Sequence, residues 1–409
     1  MQFAWLEYIG AFRSVVRQYR RSLFGISAVT FGVMALVLAA GFIEWIFWAT
    51  REGNIQSGLG HIHVMRPGYL DDGHADPWKY MLPQKSRVSD ALGHFPTVRA
   101  VAPRLAFNGL ISHDDATLTF TGDGVNPETE REVSRVLTIV AGENLSSDVP
   151  QGILLGRGLA TSLGVSVGDT VVLLANSANG SMNGVEVTVR GLFSTVSKAY
   201  DDSALRVPLL MAQELMRVSG AHRWILVLDE TDHVAKTTLA LKKRFRHSRL
   251  EFVPWYEMAD FYNKTVALLS TQVGVVKLII AAIIVLSISN TMMMSVLERT
   301  SEIGTCMALG RSRRQILRQF IYEGLTIGFL GGALGISLGG LFAILISIAG
   351  IPMPPPPGMS QGYSGEIMVT WRLAVEVFLL AIGTSLLASV YPAWRASRME
   401  IVDALRHNR

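Results

Sequence analysis

Four long apolar segments constrain what this chain can fold into. They are residues 23–48, 278–296, 324–351 and 373–391, each about 19 to 28 residues long with at most one ionisable side chain. A helix of about 20 residues crosses a hydrocarbon core of roughly 30 Å. Such runs seldom occur four times in one soluble chain, so we predict four transmembrane helices. Their predicted bounds are 23–48, 271–297, 323–351 and 372–392.

The composition narrows the class of protein further. The 409 residues are 49% hydrophobic and 17% charged, which excludes intrinsic disorder, because disordered chains are poor in apolar residues and rich in charge. The single cysteine, Cys306, excludes a disulfide scaffold. The predicted fold class is membrane α-helical, with four transmembrane helices, plus an extracytoplasmic α+β domain that contains an inserted β-rich subdomain.

The arginines predict on which side of the membrane each loop lies. They cluster before span one, between spans two and three, and after span four, whereas the outer loop 352–371 contains neither Lys nor Arg. Because cytoplasmic loops are rich in Lys and Arg, we expect cytoplasmic termini, a cytoplasmic loop 298–322 and an extracytoplasmic segment 49–270. The net charge of +4 follows from this topology and does not indicate nucleic-acid binding. These arginines are Arg13, Arg17, Arg20, Arg21, Arg299, Arg311, Arg313, Arg314, Arg318, Arg395, Arg398, Arg406 and Arg409.

The two ends of the chain are predicted to lie in the cytoplasm. In segment 1–22, apolar residues recur at three- and four-residue spacing, which predicts an amphipathic helix in the membrane interface. The first span is too long for the apolar core of a signal peptide, so we interpret it as an uncleaved signal anchor. Residues 393–409 form the predicted tail. The periodic apolar residues are Phe3, Leu6, Ile9, Phe12, Val16 and Tyr19.

The outer segment 49–270 is predicted to have two parts. Its ends, 54–107 and 208–255, alternate strand and helix patterns, which is typical of an α+β layer. Between them, residues 108–207 carry short strand patterns separated by Gly and Asn, which predicts a β-rich insert. A helix from about Trp255 to Leu269 is predicted to run directly into span two.

The sequence contains no strong motif for catalysis. It has no Gly-Lys pair and therefore no Walker A loop, whose Lys contacts the phosphates of ATP, so we predict no enzymatic activity for this chain. His61 and His63 share one face of a predicted strand, and His74 follows. A metal site is one interpretation of these histidines, and ordinary polar strand positions are the interpretation we prefer.

Three ionisable residues lie within or next to the apolar segments. Glu44 and Glu376 are near the outer ends of their spans, where a proton relay is one interpretation. The preferred interpretation is a carboxylate that reaches the interface or a water-filled cavity. Lys277 opens the second apolar segment and is expected to extend its amine towards the headgroups.

Span three carries two overlapping stripes of glycine. Small residues four positions apart allow two helix backbones to approach closely. Two stripes can serve two neighbours, so we expect tight packing against other spans of the same chain. The first stripe is Gly324, Gly328 and Gly332, and the second is Gly331, Gly335 and Gly339.

The loop between spans two and three is the strongest candidate for function. It predicts a short helix from Glu302 to Leu309, a break at Gly310 and a second helix with Ser312 as its N-cap. Apolar residues among charges suit docking into a groove of another protein. The residues alone leave open a simple hairpin whose arginines bind headgroups.

The same loop resembles a known family. The string ERTSEIGTCMALGRSRRQI resembles the E-R-x-x-E-I-G-x-x-x-A-L/I-G-x-x-R-x-x-I signature of ABC-transporter permeases of the MacB/FtsX type. The tail YPAWRASRMEIVDALR is similar to their ending, although Ile401 stands where Pro is usual. GILLGRGLATSLGVSVGDTVVLL resembles part of their extracytoplasmic domain. The matching tail residues are Pro392, Ala393, Ala396, Ala404, Leu405 and Arg406.

The resemblance implies a function and partners. Permeases of this family pair with an identical or related permease chain and with two copies of a separate ATPase, which binds ATP and Mg, so no cofactor is expected in this chain. They transmit ATP-driven motion to the extracytoplasmic domain. The residues carried over as ATPase-coupling are Glu298, Arg299, Glu302, Ile303, Gly304, Met307, Ala308, Leu309 and Gly310.

The layout is closest to the lipoprotein-releasing LolC/LolE subunits. This implies a bacterial inner-membrane protein with a hydrophobic cargo such as a lipoprotein or lipid, contact with membrane lipids, and a periplasmic adaptor or acceptor protein. The alternative is an FtsX-like regulator of an extracytoplasmic partner enzyme, without transport.

Overall fold

The computed structural model describes residues 13, 17, 19–73, 75–84, 86–135, 137–195, 197–353 and 363–400. The chain divides into two compact units. The membrane unit comprises Met1–Trp48, Thr265–Pro352 and Ser364–Arg409, and the outer unit comprises Ala49–Lys264 and Met353–Tyr363. Of the predicted features, His74, Ala404, Leu405, Arg406 and most of the helix predicted over 1–22 lie outside the described residues.

The helices and strands are numbered separately in chain order. The helices are α1 (Tyr19–Asn54), α2 (Tyr69–Asp72), α3 (Arg87–Gly93), α4 (Pro127–Val133), α5 (Arg157–Leu163), α6 (Lys198–Asp201), α7 (Leu209–Met216), α8 (Val234–Arg244), α9 (Trp255–Met258), α10 (Asp260–Glu298), α11 (Thr300–Ala308), α12 (Arg313–Ala349) and α13 (Trp371–Ser397). The strands are β1 (Ile62–Met65), β2 (Val98–His113), β3 (Ala116–Val125), β4 (Thr138–Gly142), β5 (Gly152–Gly156), β6 (Thr170–Asn176), β7 (Met182–Ser194), β8 (Ala204–Pro208), β9 (Arg223–Leu228), β10 (Glu251–Pro254), β11 (Ile351–Met353) and β12 (Tyr363–Gly365). A π-turn (Ile55–Leu59) and two short 3-10 turns (Pro77–Tyr80 and Thr231–His233) complete the secondary structure.

Four helices in the described part of the chain are long and apolar enough to cross a membrane. They are α1, α10, α12 and α13, and each covers one of the predicted spans, except that α12 ends at Ala349, two residues before the predicted end at 351. All four contribute to one buried apolar core, in which Val33, Ile284, Phe320 and Ala381 are almost inaccessible to solvent. Helices α1, α10 and α13 extend beyond the predicted spans at both ends, and α12 begins ten residues before its predicted span.

The two glycine stripes of α12 face two different helices. A Cβ atom added to Gly328 would lie 2.5 Å from the hydroxyl of Ser385 in α13. A Cβ atom added to Gly335 would lie 2.6 Å from the Cβ of Val33 in α1. No real Cβ fits at such distances, so both helices approach α12 at separations that only glycine permits. Gly324 and Gly332 also face α13, and Gly331 and Gly339 also face α1.

Replacing Gly335 by alanine is expected to destabilise the membrane unit by about 1–3 kcal/mol, because the added methyl group must displace Val33 or the Thr30 carbonyl. Gly340 is the matched control, since no atom lies within 4 Å of a Cβ built there. Gly340→Ala should be neutral or stabilising by up to about 1 kcal/mol, because alanine favours the helix. Thermal unfolding in detergent compares the two variants, and equal melting temperatures would contradict the packing argument.

The outer unit is built on one mixed sheet of ten strands. Its order is β10-β1-β9-β2-β3-β8-β5-β7-β4, and β6 pairs with both β2 and β7. Strands β3 and β8, and strands β5 and β7, are parallel, whereas the other pairs are antiparallel. Because β6 joins β7 back to β2, the strands β2, β3, β8, β5, β7 and β6 form a closed barrel around an apolar core.

The barrel occupies the region predicted as a β-rich insert. The boundary predicted at 107/108 falls inside β2, however, which runs unbroken from Val98 to His113. The first half of β2 pairs with β9, and its second half pairs with β3. One strand therefore belongs to both the barrel and the four-stranded part formed by β10, β1, β9 and β2, because strand pairing does not stop where the local pattern changes.

The prediction of one helix from Trp255 into span two is wrong at one residue. Helix α9 ends at Met258, and Ala259 has φ −98° and ψ 58°, which is outside the helical region. Helix α10 then continues without a break from Asp260 to Glu298. The continuous helix therefore starts about five residues later than predicted.

Candidate functional site

The loop between α10 and α12 forms a helical hairpin on the membrane unit. Helix α11 follows α10 after one residue, Arg299. Leu309 is its C-cap, and Gly310 comes next with a φ of +94°, which favours glycine. Ser312 then caps α12. Its hydroxyl accepts a hydrogen bond from Gln315 N, and the Gln315 side chain accepts one from Ser312 N at 2.9 Å. This capping box confirms the predicted start of the second helix.

The residues carried over as ATPase-coupling divide into two groups. Ile303, Gly304 and Met307 are buried, and the side chains of Ile303 and Met307 join the apolar core of the membrane unit. Leu309 is 85% exposed. The inward residues hold the helix in place, and the outward residues form the only surface of this group that another protein can contact. The other exposed members are Glu298, Glu302, Ala308 and Gly310.

Arg299 belongs to neither group. Its Nη1 donates to Glu323 Oε1 at 3.0 Å, its Nε donates to Glu302 Oε2 at 3.2 Å, and its guanidinium lies over the ring of Phe320. Burial acts to lower the pKa of Arg299, but Glu323 and Glu302 raise it above its usual value. Arg299 is thus charged and largely enclosed, which suits positioning of α11 better than contact with a partner.

Glu323 was not singled out by the sequence. It is 4% exposed and lies on α12, directly before the charge-free apolar run that begins at Gly324. The sequence did contain a signal for it, namely a carboxylate at the start of an otherwise charge-free span. A buried carboxylate needs a cation or a hydrogen-bond donor as its partner.

Another ion pair of the membrane unit joins α10 to α13. Lys277 of α10 donates to Glu376 of α13. The extension of the Lys277 amine towards the headgroups stays a prediction, and the structure adds that this amine binds the neighbouring helix. Glu44 of α1 is partly exposed.

His61 and His63 of the outer unit are hydrogen-bonded within the fold. His63 is fully buried in β1, where Nε2 lies 2.6 Å from the Leu59 carbonyl. His61 Nδ1 accepts a hydrogen bond from Leu228 N, so its Nε2 carries the proton and donates to Thr231 Oγ1. Burial lowers the pKa of His61 to about 4 and that of His63 to about 3. Among the residues that the structure describes, no cluster of His, Cys, Asp or Glu suits a metal ion.

The C-terminal motif begins inside α13. Pro392, Ala393 and Ala396 are buried there, and the two alanines belong to the apolar core of the membrane unit. Helix α13 thus continues to Ser397, past the predicted end of span four at 392. The last three residues of the motif lie outside the described residues.

Two family models match the chain. A MacB-like periplasmic core domain matches residues 22–244, and an FtsX-like permease C-terminal domain matches residues 274–401. The first of these alone covers more than half of the chain.

Several curated proteins are similar over most of their length. The lipoprotein-releasing system transmembrane protein LolE of Haemophilus influenzae is 24% identical over 327 residues, which are 76% of this chain and 78% of that protein. LolC of Xylella fastidiosa is 26% identical over 333 residues, with the same two shares. LolC of Neisseria meningitidis is 23% identical over 405 residues, which are 94% of each chain.

A solved structure of the periplasmic region of MacB from Actinobacillus actinomycetemcomitans is 15% identical, with a TM-score of 0.37, over 52% of this chain and 95% of that one. The MacB-like model covers α1 and most of the outer unit, and the FtsX-like model covers most of α10 together with α12 and α13. The chain belongs to the MacB/FtsX-type permeases of ABC transporters and is related to LolC and LolE.

Proposed function

We propose that this permease couples ATP hydrolysis by a separate ATPase subunit to a conformational change of its extracytoplasmic unit. The observation that carries the proposal is the short helix α11, which presents Leu309 outward while Ile303 and Met307 bind it to the membrane core. A helix held on one face and exposed on the other suits docking into an apolar groove. Two ATPase copies would bind ATP and Mg.

Chain continuity favours mechanical transmission. Helix α10 runs for 39 residues without a break, and a single residue separates its end from α11. A long helix changes length little under load, because each backbone hydrogen bond lies along its axis. A shift of α11 on the cytoplasmic side would then be passed along α10.

The printed names of the relatives support a proposal about the cargo and the partners. The names of LolC and LolE describe a lipoprotein-releasing system. We propose a hydrophobic cargo of that kind, a lipoprotein or lipid, extracted from the outer leaflet of the inner membrane. A second permease chain, identical or related, and a periplasmic adaptor or acceptor protein complete the proposed assembly, with both termini cytoplasmic.

An FtsX-like regulator is the second candidate. It would use the same cytoplasmic helix but would act on an extracytoplasmic enzyme without moving a cargo. Photocrosslinkers placed in α1 and α10 distinguish the two functions. Labelling of lipoprotein or lipid supports extraction, whereas labelling confined to a soluble protein bound by the outer unit supports regulation.

Leu309→Asp tests the docking surface. Because a carboxylate cannot enter an apolar groove without losing its hydration, we expect co-purification with the ATPase to fall at least tenfold. Leu239→Asp is the matched control, since Leu239 is 71% exposed on α8 of the outer unit. It should leave co-purification unchanged. Wild-type ATPase binding and stimulation by Leu309→Asp would show that α11 is not the docking helix.

A further inference from the structure

A cluster of buried charged side chains in the outer unit surrounds the π-turn Ile55–Leu59, which directly follows α1. Four ionisable groups lie there almost without exposure to solvent, a fifth is partly buried beside them, and the site residues assigned from sequence include none of the five. Buried charges are costly unless each is paired, so their arrangement requires a specific role. They are Arg104 of β2, Asp123 of β3, Glu130 of α4, Arg206 of β8 and the partly buried Arg223 of β9.

Two of these arginines bind the turn directly. Arg104 Nη1 donates to the Gly58 carbonyl at 2.8 Å, and Arg206 Nη2 donates to the Ser57 carbonyl at 3.3 Å. Carbonyls at the end of a helix lack partners within the helix and carry its negative pole. Two guanidinium groups therefore satisfy both the hydrogen bonds and the charge of this end.

Glu130 holds the two arginines together. Its carboxylate accepts from Arg104 Nη2 at 2.6 and 2.7 Å and from Arg206 Nη1 at 2.8 Å. The Ser134 hydroxyl donates a hydrogen bond to Glu130 and accepts one from Arg206. The carboxylate thus orients both guanidinium groups, one from each of two barrel strands.

Gly58 allows the close approach. Its φ of +131° is rare for other residues, and a Cβ built there would lie 2.9 Å from Arg206 Nη2. A second attachment lies earlier on the same segment, where Thr231 Oγ1 donates to Glu52 Oε1 at 2.8 Å. The segment from Glu52 to Gly58 is thus bonded at two points to the outer unit.

We propose that Arg104, Arg206 and Glu130 form a clamp that fixes the outer end of α1 to the barrel, so that a displacement of α1 is passed to the barrel. They are positioning residues for the mechanical transmission proposed above, and the inference rests on that function.

Hydrogen exchange on the full chain in lipid nanodiscs tests the clamp without any partner. Arg206→Lys keeps the charge but removes the planar fork that reaches Glu130 and Ser57 together. We expect exchange in a peptide covering residues 55–61 to rise at least tenfold, with unchanged exchange at the β2–β6 pairing of residues 110–112. Gly58→Ala should also raise exchange in residues 55–61, because the added methyl group displaces Arg206 from the turn without changing any charge.

Two controls are matched to these variants. Tyr200→Phe removes a hydrogen bond to Asp123 in the same cluster but touches neither carbonyl of the turn. Gly168→Ala replaces a glycine of φ +99° with no atom within 4 Å of its Cβ, and so it measures backbone strain alone. Both should leave exchange at 55–61 unchanged. Unchanged exchange in Arg206→Lys and Gly58→Ala would overturn the clamp.

A second measurement separates positioning from simple stability. The chain is reconstituted with its ATPase, and a fluorescent label on the exposed Thr119 of β3 reports the barrel. We expect Arg206→Lys and Gly58→Ala to keep the ATPase rate within twofold and to lose at least half of the ATP-dependent signal. A full signal despite faster exchange would overturn the transmission role. If no ATPase associates with the wild type, the proposed function fails, and the exchange result still decides whether the clamp exists.

Discussion

Lowering the pH from 6 to 5 is expected to reduce the free energy of unfolding of the outer unit by about 3–4 kcal/mol. Three histidines produce this effect. Burial lowers the pKa of His61 and of His222 to about 4, and that of His63 to about 3, from an ordinary value of 6.5. The native state keeps all three rings neutral in this range.

The sign follows from which state binds protons. Below pH 6.5 the unfolded chain protonates these rings while the folded chain does not, so stability falls as the pH falls towards 4. Each histidine contributes about 1.2 kcal/mol between pH 6 and pH 5. Asp123 acts at lower pH, since Arg104 and Arg223 outweigh its burial and lower its pKa below the ordinary value of 3.8.

Urea unfolding of the full chain in detergent at pH 7, 6 and 5 measures the slope. His222→Asn is the informative variant, because asparagine offers an acceptor near the position of Nδ1, which binds Ala106 N, but it does not titrate. It should reduce the loss between pH 6 and pH 5 by about one third. A flat stability profile in the wild type, or an unchanged slope in the variant, would contradict the prediction.

Glu323→Leu is expected to destabilise the membrane unit by about 3 kcal/mol, because it leaves the guanidinium of Arg299 without its buried partner. Glu302 remains as a second partner but is half exposed, so it compensates only in part. The double variant Arg299→Met with Glu323→Leu should recover most of the loss, because methionine places no charge beside Phe320.

A double-mutant cycle in detergent gives the coupling energy of the pair. Arg190 and Glu143 form the matched exposed pair at 2.6 Å, and Glu143→Leu should cost less than about 1 kcal/mol. If Glu323→Leu and Glu143→Leu cost the same, or if the double variant is no more stable than Glu323→Leu alone, Arg299 does not depend on Glu323.

Much of the fold could be predicted because it depends on local pattern. The four spans follow from apolar length, and the strands at 152–156 and 223–228 coincide with short apolar runs in the sequence. The start of α12 at Ser312 follows from the capping chemistry of serine. These features need only the residues nearby.

The glycine stripes and the loop were predictable only in part. Their spacing indicated two close helix contacts, but not that Gly328 faces α13 while Gly335 faces α1. The family signature marked 298–310 as one coupling segment, yet Ile303 and Met307 point inward and Leu309 points outward. A motif preserves residue identity but does not say which side of a helix is covered.

The sequence by itself determined the membrane topology we expect, the spans, the barrel region and the family. These depend on hydrophobic length, on alternation and on Arg placement, which are properties of short stretches of chain. Only the tertiary structure decided which charges meet. Arg299 finds Glu323, Lys277 finds Glu376, and Arg104, Glu130 and Arg206 join around the end of α1. When two ionised residues are far apart in sequence, the residues around one do not identify the other. The two interact only after folding brings them together.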